Sequence, residues 1–189
     1  MKNRIINPRF FAVTVLILVA ALSRLLPHPP NTTAMGAMAL FGGAYFSNRW
    51  ASLFVPLATL FVSDLILNNV VYAAFNKGQF VWFYGGAAWV YGSFAAAIVL
   101  SWFLLKKIDA KNVFIASIAG SILFFAVTNF AAWQSPIMPY PKDLSGLAMS
   151  YTAALPFFVN SLAGDLFFCA ALFGGFEWAQ RRFPTLARA

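Results

Sequence analysis

Charged residues are scarce in this chain, and their scarcity excludes an ordinary water-soluble fold. Only 10% of the 189 residues are charged, five of them acidic, while 61% are hydrophobic. A soluble domain usually carries about a quarter charged residues, so this chain cannot cover a water-facing surface. A single cysteine, Cys169, excludes a disulfide within the chain, and a single histidine, His28, does not supply the several ligands of a protein-only metal site.

Catalytic and nucleotide-binding motifs are also missing. The sequence has no helical His-Glu-x-x-His, no Gly-x-Ser-x-Gly, no glycine-rich phosphate loop with lysine and no Cys-His pair. We therefore predict that the chain is not an enzyme and carries no intrinsic cofactor. The net charge of +8 does not indicate a nucleic-acid partner, because most Lys and Arg residues lie at the ends of apolar runs.

Long apolar runs are what the sequence has in abundance. They predict an all-α integral membrane protein, a single transmembrane domain folded as a compact bundle of six transmembrane helices. The prolines at 27, 29 and 30 end the first run, since proline lacks an amide hydrogen and restricts the residue before it. The predicted spans cover residues 10–26, 33–47, 50–67, 84–105, 113–133 and 151–178.

Two of the apolar runs allow alternative interpretations: the second is short, and the first resembles a signal peptide. The second is short for a span and contains Gly36, Gly42 and Gly43, so we expect a short or irregular helix; five spans plus a re-entrant segment is the alternative. The first begins after Lys2 and Arg4 as a signal peptide would. No small-residue cleavage site follows it, so we expect a retained helix.

The basic residues predict the orientation. With six spans, ten Lys and Arg residues fall on the side of both termini and three on the other side. The positive-inside rule then places both termini in the cytoplasm, and we expect the inner membrane of a prokaryote. The ten are Lys2, Arg4, Arg9, Arg49, Lys106, Lys107, Lys111, Arg181, Arg182 and Arg188, and the three are Arg24, Lys77 and Lys142.

The outer loops are long and chemically varied, whereas the inner loops are short connectors. The outer loops cover residues 27–33, 68–83 and 134–150. Long ordered loops often carry function, so we predict a ligand site beneath them. Its candidate residues are the polar and aromatic side chains at this face: Arg24, His28, Asn31, Thr33, Asp64, Asn68, Asn69, Tyr72, Trp82, Tyr84, Asn129, Trp133, Gln134 and Tyr140.

Arg24, Asp64 and Asp165 are ionisable residues within the predicted spans, where such residues are costly and usually functional or paired. Arg24 and Asp64 both fall near the outer ends of their helices, so they could line a cavity or form a structural ion pair. Asp165 falls near the middle of the sixth span. It could couple transport to protons or sodium, or it could be a hydrogen-bonded packing residue.

A family resemblance rests on the first outer loop and second helix, Pro30-Asn31-Thr32-Thr33-Ala34-Met35-Gly36-Ala37-Met38-Ala39-Leu40-Phe41-Gly42-Gly43-Ala44-Tyr45-Phe46, and on Pro56 with Ser63-Asp64-Leu65. The chain resembles the substrate-binding S-components of energy-coupling factor (ECF) transporters in these segments, in size and in predicted topology. It departs from the family's Ala-x-x-x-Ala pattern in the first helix, where Leu16 stands between Ala12 and Ala20.

The resemblance implies a bundle that binds a vitamin or similar micronutrient under its outer loops. Such a protein docks on a transmembrane coupling subunit with two ATPases, or acts alone. Aromatic loops rich in Asn and Gln suit a flat, polar-edged molecule, and cobalamin is the leading guess, with His28 as a possible axial ligand to the corrinoid metal. An ion-coupled secondary transporter using Asp165 and a non-transporting membrane scaffold are the competing hypotheses.

Overall fold

The computed structural model describes residues 7–187, and within them all regular structure is helical, with no strand. Short 3-10 turns follow α1 and α6, at Ser23–Leu25 and Pro184–Leu186, and a π-helical turn, Leu67–Val71, extends α3. The six α-helices are α1 (Pro8–Leu22), α2 (Met35–Tyr45), α3 (Arg49–Ile66), α4 (Ala87–Leu104), α5 (Ala110–Gln134) and α6 (Leu144–Arg182).

Local sequence explains where most of these helices begin. The residue before each of α1, α3, α5 and α6 is Asn or Asp, and its side chain accepts a hydrogen bond from a backbone amide of the first turn. Such a cap satisfies one of the amides that have no partner within the helix. Helix α2 follows Ala34, which has no side-chain acceptor, so its first amides need a partner from elsewhere.

Helix α2 lies at the centre of the bundle. It contacts all five other helices, which surround it, and almost every residue from Ala37 to Tyr45 is buried. Its small residues allow this packing: a Cβ added at Gly43 would lie 2.9 Å from the Ile98 carbonyl oxygen of α4. Phe41 and Tyr45 complete the packing through ring contacts with Phe173 and Phe176 on α6.

The start of α1 and the end of α6 meet at one end of the bundle, which we call the terminal end. Arg9 donates from Nε to the Tyr45 carbonyl at 3.3 Å and from Nη1 to Gln180 Oε1 at 2.9 Å and to the Leu186 carbonyl at 3.1 Å. Tyr45 Oη in turn donates to Glu177 at 2.5 Å. These contacts join α1, α2 and α6. The opposite end carries residues 26–34, 72–86 and 135–143, and we call it the loop end.

Five of the described helical segments are long and apolar enough to cross a membrane, and α2 is not among them. At about 1.5 Å per residue, the 11 residues of α2 rise roughly 16 Å, about half of a hydrocarbon core. The second helix is therefore short, as the sequence indicated. Of the basic residues in the predicted orientation, Lys2, Arg4 and Arg188 lie outside the described residues.

The predicted boundaries of two loops were wrong. The loop placed at 68–83 begins at Tyr72, because Asn68 and Asn69 belong to the π-helical turn, and it continues to Gly86. The loop placed at 134–150 covers only 135–143, because Asp143 caps α6 and the helix begins at Leu144, seven residues before the predicted start of the span. Helix α6 therefore has 39 residues and, at roughly 58 Å, is about twice as long as a hydrocarbon core is thick.

Candidate functional site

A cavity of about 690 Å³ lies beneath residues 26–34 at the loop end. It is bounded by the 3-10 turn that follows α1, the start of α2, the turn that extends α3, and one face each of α4, α5 and α6. Its volume falls within the range of about 300–1,000 Å³ typical of small-molecule sites. The lining residues are Arg24, Leu25, Leu26, Pro27, His28, Pro30, Asn31, Thr33, Met35, Gly36, Leu67, Val71, Tyr72, Phe94, Ala97, Gly120, Phe124, Ser161 and Asp165.

Arg24 is held in the cavity wall by an ion pair. Its Nη1 lies 2.9 Å from Asp64 Oδ1 and donates to Ser63 Oγ at 2.7 Å, while Tyr91 Oη donates to Asp64 Oδ2 at 3.0 Å. The Arg24 and Asp64 side chains are 10% and 4% exposed. Asp64 itself does not line the cavity. Its role in this geometry is to neutralise and orient the guanidinium of Arg24.

The guanidinium of Arg24 is only partly used by these contacts. Both of its polar contacts involve Nη1, and its Nε is buried with no hydrogen-bond partner among the described residues. Unpaired buried donors are rare and costly in folded proteins. The edge formed by Nε and Nη2 thus makes no hydrogen bond to a described residue, and its Nε is buried in the cavity wall to which Arg24 belongs.

Tyr84 lies near the same ion pair, in the loop that precedes α4. Burial, followed by the nearby charge of Asp64, raises the pKa of Tyr84 to about 12. Its hydroxyl is therefore protonated at any physiological pH. Tyr84 is not part of the cavity wall.

Asp165 supplies the cap that α2 lacks. The backbone amides of Gly36 and Ala37 interact with its carboxylate, and Ser121 Oγ donates to its Oδ2 at 2.6 Å. A Cβ at Gly36 would lie 2.6 Å from Asp165 Oδ2, so only glycine leaves room for the carboxylate. The sequence predicted that Asp165 lies near the middle of the sixth span. In the structure it lies near the middle of α6, beside the start of α2 and in the cavity wall.

A smaller cavity of about 150 Å³ adjoins the first between α5 and α6. Asn31, Phe124, Ser161 and Asp165 line both cavities. Asn129, a predicted site residue, lines only the smaller one, and its Nδ2 donates to the Phe125 carbonyl at 2.8 Å. Asp165 thus stands at the boundary between the two spaces.

Residues 26–34 cover the cavity and are held against α6. Asn160 Nδ2 donates to the Pro30 carbonyl at 3.1 Å, and Asn31 adopts a left-handed conformation with φ of 62°. Gly164 lets the segment approach closely, since a Cβ there would lie 3.3 Å from Thr32 Cα. His28 Nδ1 lies 2.6 Å from the Leu26 carbonyl. Because a carbonyl only accepts, Nδ1 is the donor in this contact, and in the neutral imidazole Nε2 then carries the lone pair.

Several predicted site residues serve the loop between α3 and α4 instead. Asn69 bonds the Val81 backbone in both directions, at 2.9 Å and 2.7 Å, and Asn76 bonds the Asn68 carbonyl at 2.8 Å. Asn68 Nδ2 is buried without a partner among the described residues. Trp82 is 61% exposed. None of these side chains lines the large cavity, whereas Tyr72 does.

The loop between α5 and α6 closes on itself. Trp133 Nε1 donates to the Pro141 carbonyl at 2.8 Å, and Lys142 Nζ donates to the carbonyls of Trp133 and Ser135. Gln134 is exposed. Trp133, Gln134 and Tyr140 therefore lie away from both cavities.

Sequence reasoning missed the part of the cavity wall that comes from the helix interiors. Phe94, Ala97, Gly120 and Phe124 lie inside uniformly apolar spans, so no local pattern distinguished the residues that face the cavity from those that face lipid. Two other residues of the cavity wall did carry a signal in the sequence. Ser161 is a polar residue one helical turn before Asp165, and Gly36 is a small residue just after the first outer loop.

The arrangement is suited to binding. Apolar walls surround a few polar groups at fixed positions, the usual composition of a small-molecule site. Within residues 7–187, no three His, Cys, Asp or Glu side chains are grouped so that they could hold a metal ion.

The comparisons with known proteins give one match. No curated protein and no solved structure matches the chain. A family model does: DUF6580, described as a family of unknown function, matches residues 4–186. The chain therefore belongs to the DUF6580 family.

Proposed function

We propose that this protein is a membrane-embedded binding subunit for uptake of a vitamin or similar micronutrient. The observation that carries the proposal is the 690 Å³ cavity, which lies under residues 26–34 and holds Arg24, His28, Asn31, Thr33 and Tyr72 in its wall. The apolar helices favour a membrane location. The resemblance to ECF S-components adds a coupling subunit with two ATPases as partners.

Ligand size constrains the choice of micronutrient. Cavities of 300–1,000 Å³ enclose most of a drug-sized molecule. A corrinoid is larger than such molecules, so cobalamin would have to project through the mouth of the cavity. The free Nε2 of His28 supports cobalamin, because it could approach the metal of a corrinoid lying over the mouth.

A binding panel tests the proposal. Purified protein in detergent, without ATP, is titrated with water-soluble vitamins and their precursors, cobalamin included, by calorimetry and thermal shift. One member should bind and raise the unfolding temperature. Stabilisation by no member of the panel counts against the proposal.

Two substitutions on α6 locate the binding site. Ser161 lines both cavities, while Ala163, two residues on, is exposed. Ser161→Phe should fill the cavity and abolish binding, and Ala163→Phe adds the same side chain on the lipid-facing side and should leave binding unchanged. Equal binding by both variants would place the ligand elsewhere.

The proposed orientation puts the terminal end in the cytoplasm. Arg49, Lys106, Lys107 and Arg181 flank helices at that end, as the positive-inside rule requires. Cys169 is the only cysteine, so a Cys169→Ser background accepts single labelling sites. Phe75→Cys, at a position that is 83% exposed, should react with an impermeant maleimide added outside intact cells. A cysteine at Arg182 should react only after lysis; the reverse pattern would invert the topology.

Ion-coupled transport remains the second candidate function, favoured by the position of Asp165 between the two cavities. Uptake by proteoliposomes should then collapse with the proton or sodium gradient and in Asp165→Asn. Gradient-independent uptake by the unaltered protein excludes this mechanism. If instead the protein is a scaffold, Ser161→Phe leaves every uptake phenotype intact.

A further inference from the structure

We infer that the ligand carries an oxyanion, a carboxylate or phosphate, which binds the free edge of Arg24. This inference rests on the proposed binding function and names the chemical class of the ligand. Arg24 lines the cavity with a side chain that is 10% exposed, and its Nε has no partner among the described residues.

The geometry of the Arg24 network leaves one edge of the guanidinium free. Asp64 and Ser63 both bind Nη1, so they hold the group from one side. The opposite edge presents Nε and Nη2 as two parallel donors. This fork matches the two oxygens of a carboxylate or phosphate, and the paired bonds are among the strongest in proteins.

Asp64 and Tyr91 position the guanidinium for this contact. Tyr91 Oη occupies the second Asp64 oxygen at 3.0 Å, so the carboxylate is fixed on both sides. A guanidinium fixed by its supporting residues loses little freedom when it binds the ligand. Asp64 already balances the charge of Arg24. We therefore expect the free edge to prefer a ligand that presents two adjacent acceptor oxygens over simple anions in solution.

The other polar groups of the cavity do not compete for this edge. Asp165 is engaged by the first amides of α2, and His28 Nδ1 by the Leu26 carbonyl. Arg24 is the only Lys or Arg among the residues that line the two loop-end cavities within the described part of the chain. An oxyanion on the ligand therefore has one strong partner.

Matched ligand pairs test the inference. Nicotinate with nicotinamide, biotin with biotinamide, and pantothenate with panthenol compare a carboxylate with a neutral group. Pyridoxal phosphate with pyridoxal, and flavin mononucleotide with riboflavin, make the same comparison for phosphate. In the pair that binds, we expect the anionic member to bind roughly tenfold or more tightly.

The variant Arg24→Lys separates the free edge from the ion pair. Lysine can still pair with Asp64 but lacks the planar fork, so most of the preference for the anionic member should disappear. Arg24→Gln with Asp64→Asn, a neutral pair, repeats the test should the lysine variant fold poorly. Lys77→Asn, which removes an exposed charge at the loop end away from the cavity, should keep the preference.

Each outcome decides a separate question. If the neutral member of a pair binds as tightly as the anionic one, or if Arg24→Lys keeps the preference, the inference is wrong while the binding function stands. If no vitamin of the full panel binds, cobalamin included, the proposed function is overturned and the inference with it. If only vitamins without a carboxylate or phosphate bind, the inference is wrong and the binding function stands. Free phosphate or acetate binding as tightly as the vitamins would indicate an anion site without ligand selection and would also overturn the inference.

Discussion

Replacement of Gly36 by alanine is the most direct test of how α2 is held. The added Cβ would lie 2.6 Å from Asp165 Oδ2 and 2.7 Å from its Cγ, and closer still to Oδ1. No methyl group fits at those distances, so the Asp165 side chain must move away. The backbone amides of Gly36 and Ala37 then lose their acceptor.

The size of the effect follows from these losses. Each buried amide left without an acceptor costs about 1–3 kcal/mol. The better helix propensity of alanine offsets up to about 1 kcal/mol. Two such amides cost about 2–6 kcal/mol together, so the net loss is about 1–6 kcal/mol and is centred near about 3 kcal/mol. For a chain of about 150–250 residues, each kcal/mol corresponds to about 2–4 °C, so a loss of about 3 kcal/mol should lower the unfolding temperature by about 6–12 °C.

Thermal unfolding in detergent, followed by circular dichroism, measures the change. Gly174→Ala is the matched control, since a Cβ at this position of α6 meets nothing within 4 Å. The control should unfold within about 2 °C of the unaltered protein. If Gly36→Ala unfolds at the same temperature as the control, Asp165 does not cap α2 and our account of that contact is refuted.

Three further predictions concern other contacts. Gly43→Ala should lower the unfolding temperature by about 3–10 °C, because the new Cβ would lie 2.9 Å from the Ile98 carbonyl oxygen; an unchanged temperature would contradict the close packing of α2 on α4. Gly120→Ala should unfold at the same temperature as the unaltered protein, because its Cβ would lie an ordinary 3.7 Å from Leu40. Since Gly120 lines the cavity, the added methyl group should weaken ligand binding about fivefold in calorimetry. Unchanged affinity would show that Gly120 does not contact the ligand. The Gly146 amide holds the pKa of Asp143 below its ordinary value of 3.8. The stability that this cap contributes is therefore present above about pH 4 and is lost as the pH falls further, and Asp143→Asn should show a smaller drop in unfolding temperature at acid pH.

The starts of the helices were largely predictable, because their causes are local. The apolar run and the preceding Asn or Asp lie within a few residues of each other, as at Asn48 and Asp109. The signal at Asp143 is equally local, but hydropathy does not predict this boundary, because the first turns of α6 are polar and resemble a loop. Hydropathy measures what lipid tolerates, whereas a helix continues wherever its backbone bonds are satisfied.

The candidate site was only partly predictable. Arg24 and His28 stand next to a proline-rich boundary and carry groups that are unusual in an apolar chain, so the sequence singles them out. Trp133 and Tyr140 were chosen by chemical type, and the structure places them in a self-contained loop. Chemical type indicates which residues could bind a ligand, but the packing of neighbouring helices determines which of them face a common space.

Composition and local patterns predict that charged groups are too few for a water-facing surface, that the chain forms apolar helices and that the second of them is short. These properties depend on neighbouring residues. The packing of the helices was needed to show that the short helix lies at the centre, that Asp165 contacts its first turn from a helix more than a hundred residues away, and that one edge of Arg24 lacks a partner beside a cavity. Such relations depend on distances between segments, and those distances are set when all six helices pack together.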